Sequence, residues 1–238
     1  MLCLQFAIGA VNDRADAASD ALARRAKPIP AGLLSRKTAA RLALAAAVLG
    51  LLVAATVGVG AVVVGAVGLV DGLAYDLRLK GTPLAWMPFA AGVGILPVYA
   101  WLGARGSVPE AFFGVVAVAI MAGTVLALAN AYGDLGKDRL SGTTTVATLL
   151  GSRRTLLADA VLLVAVQFAV LATTVVSAGA TPLLVVEGIG CGLGWLGLGL
   201  AAAGGRARLL VWEIQAVGVV VLGAGWLAVL NSAGMLRS

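Results

Sequence analysis

The sequence predicts an all-α integral membrane protein, a polytopic helical bundle with seven full spans and one shorter apolar segment ahead of them. Three observations lead there. Apolar residues make up 61% of the 238 and charged residues only 12%, with a mean hydropathy of +1.03; the charged share is about half that of a soluble domain. Seven apolar stretches approach or exceed the roughly 20 residues needed to cross a hydrocarbon core. The basic residues between those stretches fall almost entirely on one side when the sides are alternated.

In chain order, the apolar stretches run roughly 38–56, 58–75, 84–103, 108–132, 156–176, 182–203 and 209–231. Residues 1–11 are apolar too, but too short to cross alone, and read as the last half of a helix. Numbering that segment first places fifteen Lys and Arg on one side, and leaves only Arg105 and Arg237 on the other. The basic side is expected to be the cytoplasm, in a multi-pass protein of the cell membrane. Of the fifteen, Arg36, Lys37, Arg41, Arg153 and Arg154 read as topogenic. The 32 glycines suit lipid, where small residues let helices approach closely. Gly190, Gly192, Gly194, Gly197 and Gly199 therefore read as packing positions, not as a phosphate-binding loop, since no strand precedes them.

The composition also excludes chemistry. The chain has no histidine, which removes Ser-His-Asp catalysis, histidine zinc sites and histidine-ligated haem. Cys3 and Cys191 are too few and too far apart for a disulfide framework or a thiolate cage.

An internal repeat carries the acids. Asn12, Asp16 and Asp20 share the pattern Asn-x3-Asp-x3-Asp with Asn130, Asp134 and Asp138, at an offset of 118 residues (130 − 12). Four predicted helices separate the copies, so both emerge on the same face. Spacing of four places each set roughly on one helical stripe. Two oxygen-rich patches call for a cation, and Mg²⁺ suits carboxylate, amide and phosphate oxygens. Arg24, Arg25, Lys27, Arg78, Lys80, Lys137 and Arg139 flank the acids, and would neutralise a departing diphosphate.

These residues resemble the UbiA family of intramembrane prenyltransferases. Asn12-Asp13-x2-Asp16-x3-Asp20 is similar to the family's NDxxDxxxD, and Lys27-Pro28-Ile29-Pro30-Ala31-Gly32 to its R-P-[LI]-P-[SA]-G, with Lys for Arg. Tyr75-Asp76-Leu77-Arg78-Leu79-Lys80 resembles the tyrosine-then-lysine loop. Asp134-x3-Asp138-x3-Gly142, followed by Thr145, Ala147 and Gly151, resembles the second DxxxD motif and its tail.

The resemblance implies a nine-helix family bundle and Mg²⁺-dependent transfer of an isoprenyl group from a prenyl diphosphate through an allylic carbocation. The acceptor would be aromatic or otherwise lipophilic, in quinone or lipid biosynthesis. It implies metal roles for Asn12, Asp13, Asp16, Asp20, Asn130, Asp134 and Asp138. Diphosphate roles fall on Lys27, Arg78, Lys80, Lys137 and Arg139, and Tyr75 would lie near the reacting carbon. Asp16, Asp134, Asp138 and Tyr75 are the expected catalytic residues. Residues 1–238 are expected to form one such domain lacking the family's first helix. The alternatives are a non-catalytic truncated homologue, or a transporter with a carboxylate-lined site. Among the remaining acids, Asp159 reads as interfacial, Glu213 as a partner for Arg208, and Glu187 as a lone acid within lipid.

Overall fold

A computed structural model describes residues 1–22, 26–177, 181–205 and 210–236. Among them are helices α1 (Leu2–Leu22), α2 (Arg36–Ala55), α3 (Val59–Ala74), α4 (Trp86–Arg105), α5 (Phe112–Ser141), α6 (Val146–Leu150), α7 (Ser152–Ser177), α8 (Thr181–Ala203) and α9 (Val211–Ser232), and no strand. Seven helical segments are long and apolar enough to cross a membrane, matching the seven predicted stretches. Their ends differ by a few residues where capping decides. Helix α2 starts at Arg36, not Thr38, because the Ser35 side chain accepts from Thr38 N at 3.0 Å, satisfying a free N–H of the first turn. The segment at 1–11 continues as helix α1 to Leu22, so the first acidic motif is helical throughout.

The chain divides into two compact units: residues 1–80 with 95–108, and residues 81–94 with 109–238. Helix α4 contributes its first half to the second unit and its remainder to the first.

In the first unit, α1 packs on α2 and α3. A Cβ on Gly50 would lie 2.6 Å from Leu4 Cδ2, and one on Gly72 would lie 2.5 Å from Ile8 Cδ1. Leu4 and Ile8 therefore sit in notches that only glycine leaves open. Both belong to one ridge of α1 at spacing four, and that ridge continues as Asn12 and Asp16. Helix α3 ends in a π-helical turn, Tyr75–Leu79, closed by Lys80 N donating to Tyr75 O at 2.8 Å. The stretch expected as a loop is thus an extension of the helix, and it packs on α1.

In the second unit, α5, α7, α8 and α9 pack together, with α8 and α9 in the most extensive contact. Glycine makes this seam. A Cβ on Gly190 would meet Leu222 N at 2.7 Å, one on Gly197 would meet Gln215 Cγ at 2.8 Å, and one on Gly194 would meet Leu163 Cδ1 of α7 at 2.9 Å. Gly192 and Gly199 have nothing within 4 Å. The glycine run therefore divides by helix face into contact and open positions. Where α4 meets α5, a Cβ on Gly123 would lie 2.8 Å from Ala90 Cα.

Two pairs of buried polar groups in this unit meet across helices. Gln215 Nε2 donates to Asp159 Oδ2 at 2.8 Å, and Thr174 Oγ1 donates to Glu187 Oε1 at 2.7 Å. Asp159 is thus buried against Gln215, and Glu187 has a partner. The expected Glu213–Arg208 pair lies outside the described residues, as do Arg24, Arg25, Arg206 and Arg237. Both cysteines are free thiols.

Adding one methyl group should separate the two kinds of glycine. Gly190→Ala is expected to cost about 1–3 kcal/mol through overpacking, read as a lower melting temperature in detergent. Gly192→Ala, on the open face, should leave the melting temperature unchanged or raise it slightly.

Candidate functional site: an acidic helix end bridged by lysines

The first motif occupies the polar end of α1. Lys80 Nζ donates to Asn12 Oδ1 at 2.7 Å and to Asp16 Oδ2 at 2.5 Å. Lys27 Nζ donates to Asp13 Oδ1 at 2.7 Å and lies 2.9 Å from Asp20 Oδ2. Helix phase explains this division. At about 100° per residue, Asp16 has turned only about 40° from Asn12, whereas Asp20 has turned about 80° and falls beside Asp13, at about 100°. The single stripe expected for Asn12, Asp16 and Asp20 therefore becomes two adjacent pairs, each closed by one ammonium.

The elements that position these lysines follow from local chemistry. The π turn lengthens α3 past Ala74 and brings Lys80 over the Asn12–Asp16 ridge. Lys27 begins the Lys-Pro-Ile-Pro-Ala-Gly segment, which folds back on itself through Ala31 N donating to Lys27 O at 3.0 Å and Leu33 N to Pro28 O at 3.0 Å. Hydrogen bonding to Asp13 first, and to Asp20 second, raises the Lys27 ammonium above its ordinary value of 10.5, against a smaller opposing effect of burial. Asp20 is 3% exposed, so Lys27 supplies a charge that the folded helix needs.

The other expected residues of this unit stand nearby. Tyr75 is half-buried at the start of the π turn, and Arg78 is exposed. Sequence reasoning gave Asp76 no role. It lies within electrostatic reach of Asp13, Asp16 and Lys80, and its Oδ2 is buried without a hydrogen bond among the described residues. A carboxylate one residue after the expected tyrosine was the available signal.

In the second unit, Asn130, Asp134, Lys137, Asp138 and Arg139 lie on the last turns of α5. Asp134, Lys137 and Arg139 are exposed, while Asn130 and Asp138 are half-buried. The tail of this motif has a structural explanation. Gly142 caps α5 at φ +69°, a left-handed conformation that favours glycine, and Thr143 N returns to Asp138 O at 2.9 Å. Thr145 then caps α6 in a capping box with Thr148, and its hydroxyl donates to Asp138 Oδ2 at 3.3 Å. Ala147 is fully buried, and Gly151 ends α6 at φ +77°. The Gly-x2-Thr-x-Ala-x3-Gly tail thus folds a short helix back onto α5 and fixes the orientation of one carboxylate. Thr145 is a positioning residue that the sequence reading quoted without a role.

Among the described residues, no three His, Cys, Asp or Glu side chains stand close enough together to hold a metal ion. On α1, lysine ammonium groups donate to the carboxylate and amide oxygens instead.

The UbiA prenyltransferase family profile matches residues 1–209. Three solved structures share the fold. One, from work on digeranylgeranylglyceryl phosphate synthase in membranes, is 14% identical, with a TM-score of 0.71, covering 95% of this chain and 84% of that one. A UbiA homologue from Aeropyrum pernix K1, in its apo form, is 21% identical, with a TM-score of 0.71 over 95% and 85% of the two chains. A UbiA homologue from Archaeoglobus fulgidus is 17% identical, with a TM-score of 0.70 over 97% and 86%. No curated protein matches the chain significantly.

Removing the Lys27 charge should expose the need for it. Lys27→Met is expected to destabilise the protein by about 1–3 kcal/mol, since it removes a cation that bonds to Asp13 and lies beside the buried Asp20 carboxylate. The deficit should be constant from about pH 6 to 9. A raised pKa gives stability that is full below the unfolded value, about 10.4, and lost as pH rises through the folded one. Melting curves of both proteins across that range would check it.

Proposed function

The chain belongs to the UbiA prenyltransferase family, and on that premise we propose that it transfers an isoprenyl group from a prenyl diphosphate to a lipophilic or aromatic acceptor within the membrane. The observation that carries this reading is the ladder of oxygens on α1 that already gathers around positive charge: Asn12 and Asp16 on Lys80, Asp13 and Asp20 on Lys27. Hard oxygen donors that hold a cation are what Mg²⁺ requires. The chemistry of the donor set on α1 therefore suits the metal that the family resemblance implies, with Asn12, Asp13, Asp16 and Asp20 as candidate ligands there and Asn130, Asp134 and Asp138 as candidate ligands on α5. Bound there, Mg²⁺ would neutralise charge on the departing diphosphate.

The chain's own residues supply the rest. Lys80, Lys27, Arg78, Lys137 and Arg139 are cations suited to the phosphate oxygens. Lys27 offers a point charge where the family motif has the planar fork of Arg. Tyr75, at the start of the π turn, is the group we place near the reacting carbon. Thr145 holds Asp138 oriented as an acceptor. We take the whole chain as one catalytic domain, with the reaction at the cytoplasmic face, where the basic residues concentrate.

The direct test is Mg²⁺-dependent release of diphosphate from geranylgeranyl diphosphate in liposomes, with phenolic and glycerol-phosphate acceptors supplied. Asp16→Asn and Asp134→Asn are each expected to lower release by roughly 100-fold or more, with membrane insertion intact. Unchanged turnover in either variant would remove that residue from the site.

A second measurement reads the site without catalysis. Lys80 bonds to two of the proposed ligands, so Lys80→Met should raise the affinity of the donor-free protein for Mg²⁺ while weakening binding of the prenyl diphosphate. Titration calorimetry showing equal or weaker Mg²⁺ affinity in the variant would contradict this.

A further inference from the structure

Beside the Asn12–Asp16 ridge of α1 lies an open cleft that the reaction proposed above does not use. Val11, Arg14 and Ala15 of α1, Arg36 of α2 and Leu77 of the π turn line about 220 Å³ of space, where one water molecule needs only about 10–15 Å³. Both arginines are exposed, and neither makes an ion pair or hydrogen bond among the described residues. Arg36 is the first residue of α2, whose N-terminal dipole adds positive potential at the same place. Two guanidinium groups and a helix N-terminus therefore face one cleft with no carboxylate lining it.

The location says what kind of anion belongs there. One candidate membrane span begins at Arg36, and another ends at Leu79. By length and composition, the cleft falls at the ends of two candidate spans, where a headgroup layer is expected. Its remaining lining is apolar, and Leu77 is 58% exposed. A phosphate ester with an attached acyl chain satisfies both features: phosphate oxygens on the two guanidinium forks and hydrocarbon along Val11, Ala15 and Leu77. We propose that this cleft binds the headgroup of an anionic membrane phospholipid. The bound lipid would tie α1 to the first residue of α2 and to the π turn that carries Lys80.

Native mass spectrometry of the full chain in detergent, titrated with phosphatidylglycerol or phosphatidylcholine, tests this. Phosphatidylglycerol is expected to bind, and phosphatidylcholine to bind much more weakly. The double variant Arg14→Gln/Arg36→Gln should bind phosphatidylglycerol about 30-fold more weakly, whereas Arg153→Gln/Arg154→Gln, with the same loss of charge elsewhere, should match the wild type. Leu77→Gln keeps both arginines; it should weaken the lipid but leave any displacement by inorganic phosphate unchanged, and it serves if the double variant fails to fold. Equal losses in both double variants would mean that general surface charge holds the lipid, and would overturn the proposal. So would equal binding of the two lipids. Inorganic phosphate binding as tightly as phosphatidylglycerol would overturn the lipid assignment, because the acyl contact would then contribute nothing.

Discussion

An ammonium group shared between two oxygen side chains is what lets α1 carry Asn12, Asp13, Asp16 and Asp20 within nine residues at the end of a membrane helix bundle. Uncompensated, closely spaced carboxylates repel, and burying one, as Asp20 is buried, costs several kcal/mol. Lys27 and Lys80 each close one pair. They come from separate places in the chain, the Pro-rich segment after α1 and the turn after α3, so the acidic cluster also fastens three segments together. The glycine notches that receive Leu4 and Ile8 set the height and rotation of α1. Asn12 and Asp16 extend the same ridge. The electrostatic arrangement is therefore inherited from the apolar packing beneath it.

The seven spans were legible because hydropathy over 20 residues is a strong signal, and lipid leaves little choice but helix. The acidic repeat was legible from spacing alone. Three features were not. The division of the first motif into two pairs depends on the slow drift of spacing-four positions around a helix, which a stripe argument rounds away. The π turn at Tyr75–Leu79 carries no composition cue, and the same residues read equally well as a loop. Asp159 could not be placed as buried without knowing that Gln215, 56 residues later, lies across from it.

The glycines show how one residue type divides its work. On α8, Gly190, Gly194 and Gly197 let neighbouring helices approach, while Gly192 and Gly199 point into open space. At Gly142 and Gly151 the requirement is a backbone conformation, and those two bound the short helix whose Thr145 steadies Asp138. Close helix packing and orientation of a site carboxylate thus rest on the same side-chain absence, used in two ways.

A π turn is an α-helix with one residue too many, and at Tyr75–Leu79 that surplus has a directional consequence. Were the same residues wound as a regular α-helix, every charge in the chain would still be present. The following lysine, however, would swing by about 100° around the helix axis, away from Asn12 and Asp16. The aim of Lys80 is therefore set by how the turn is wound as much as by which residues make it.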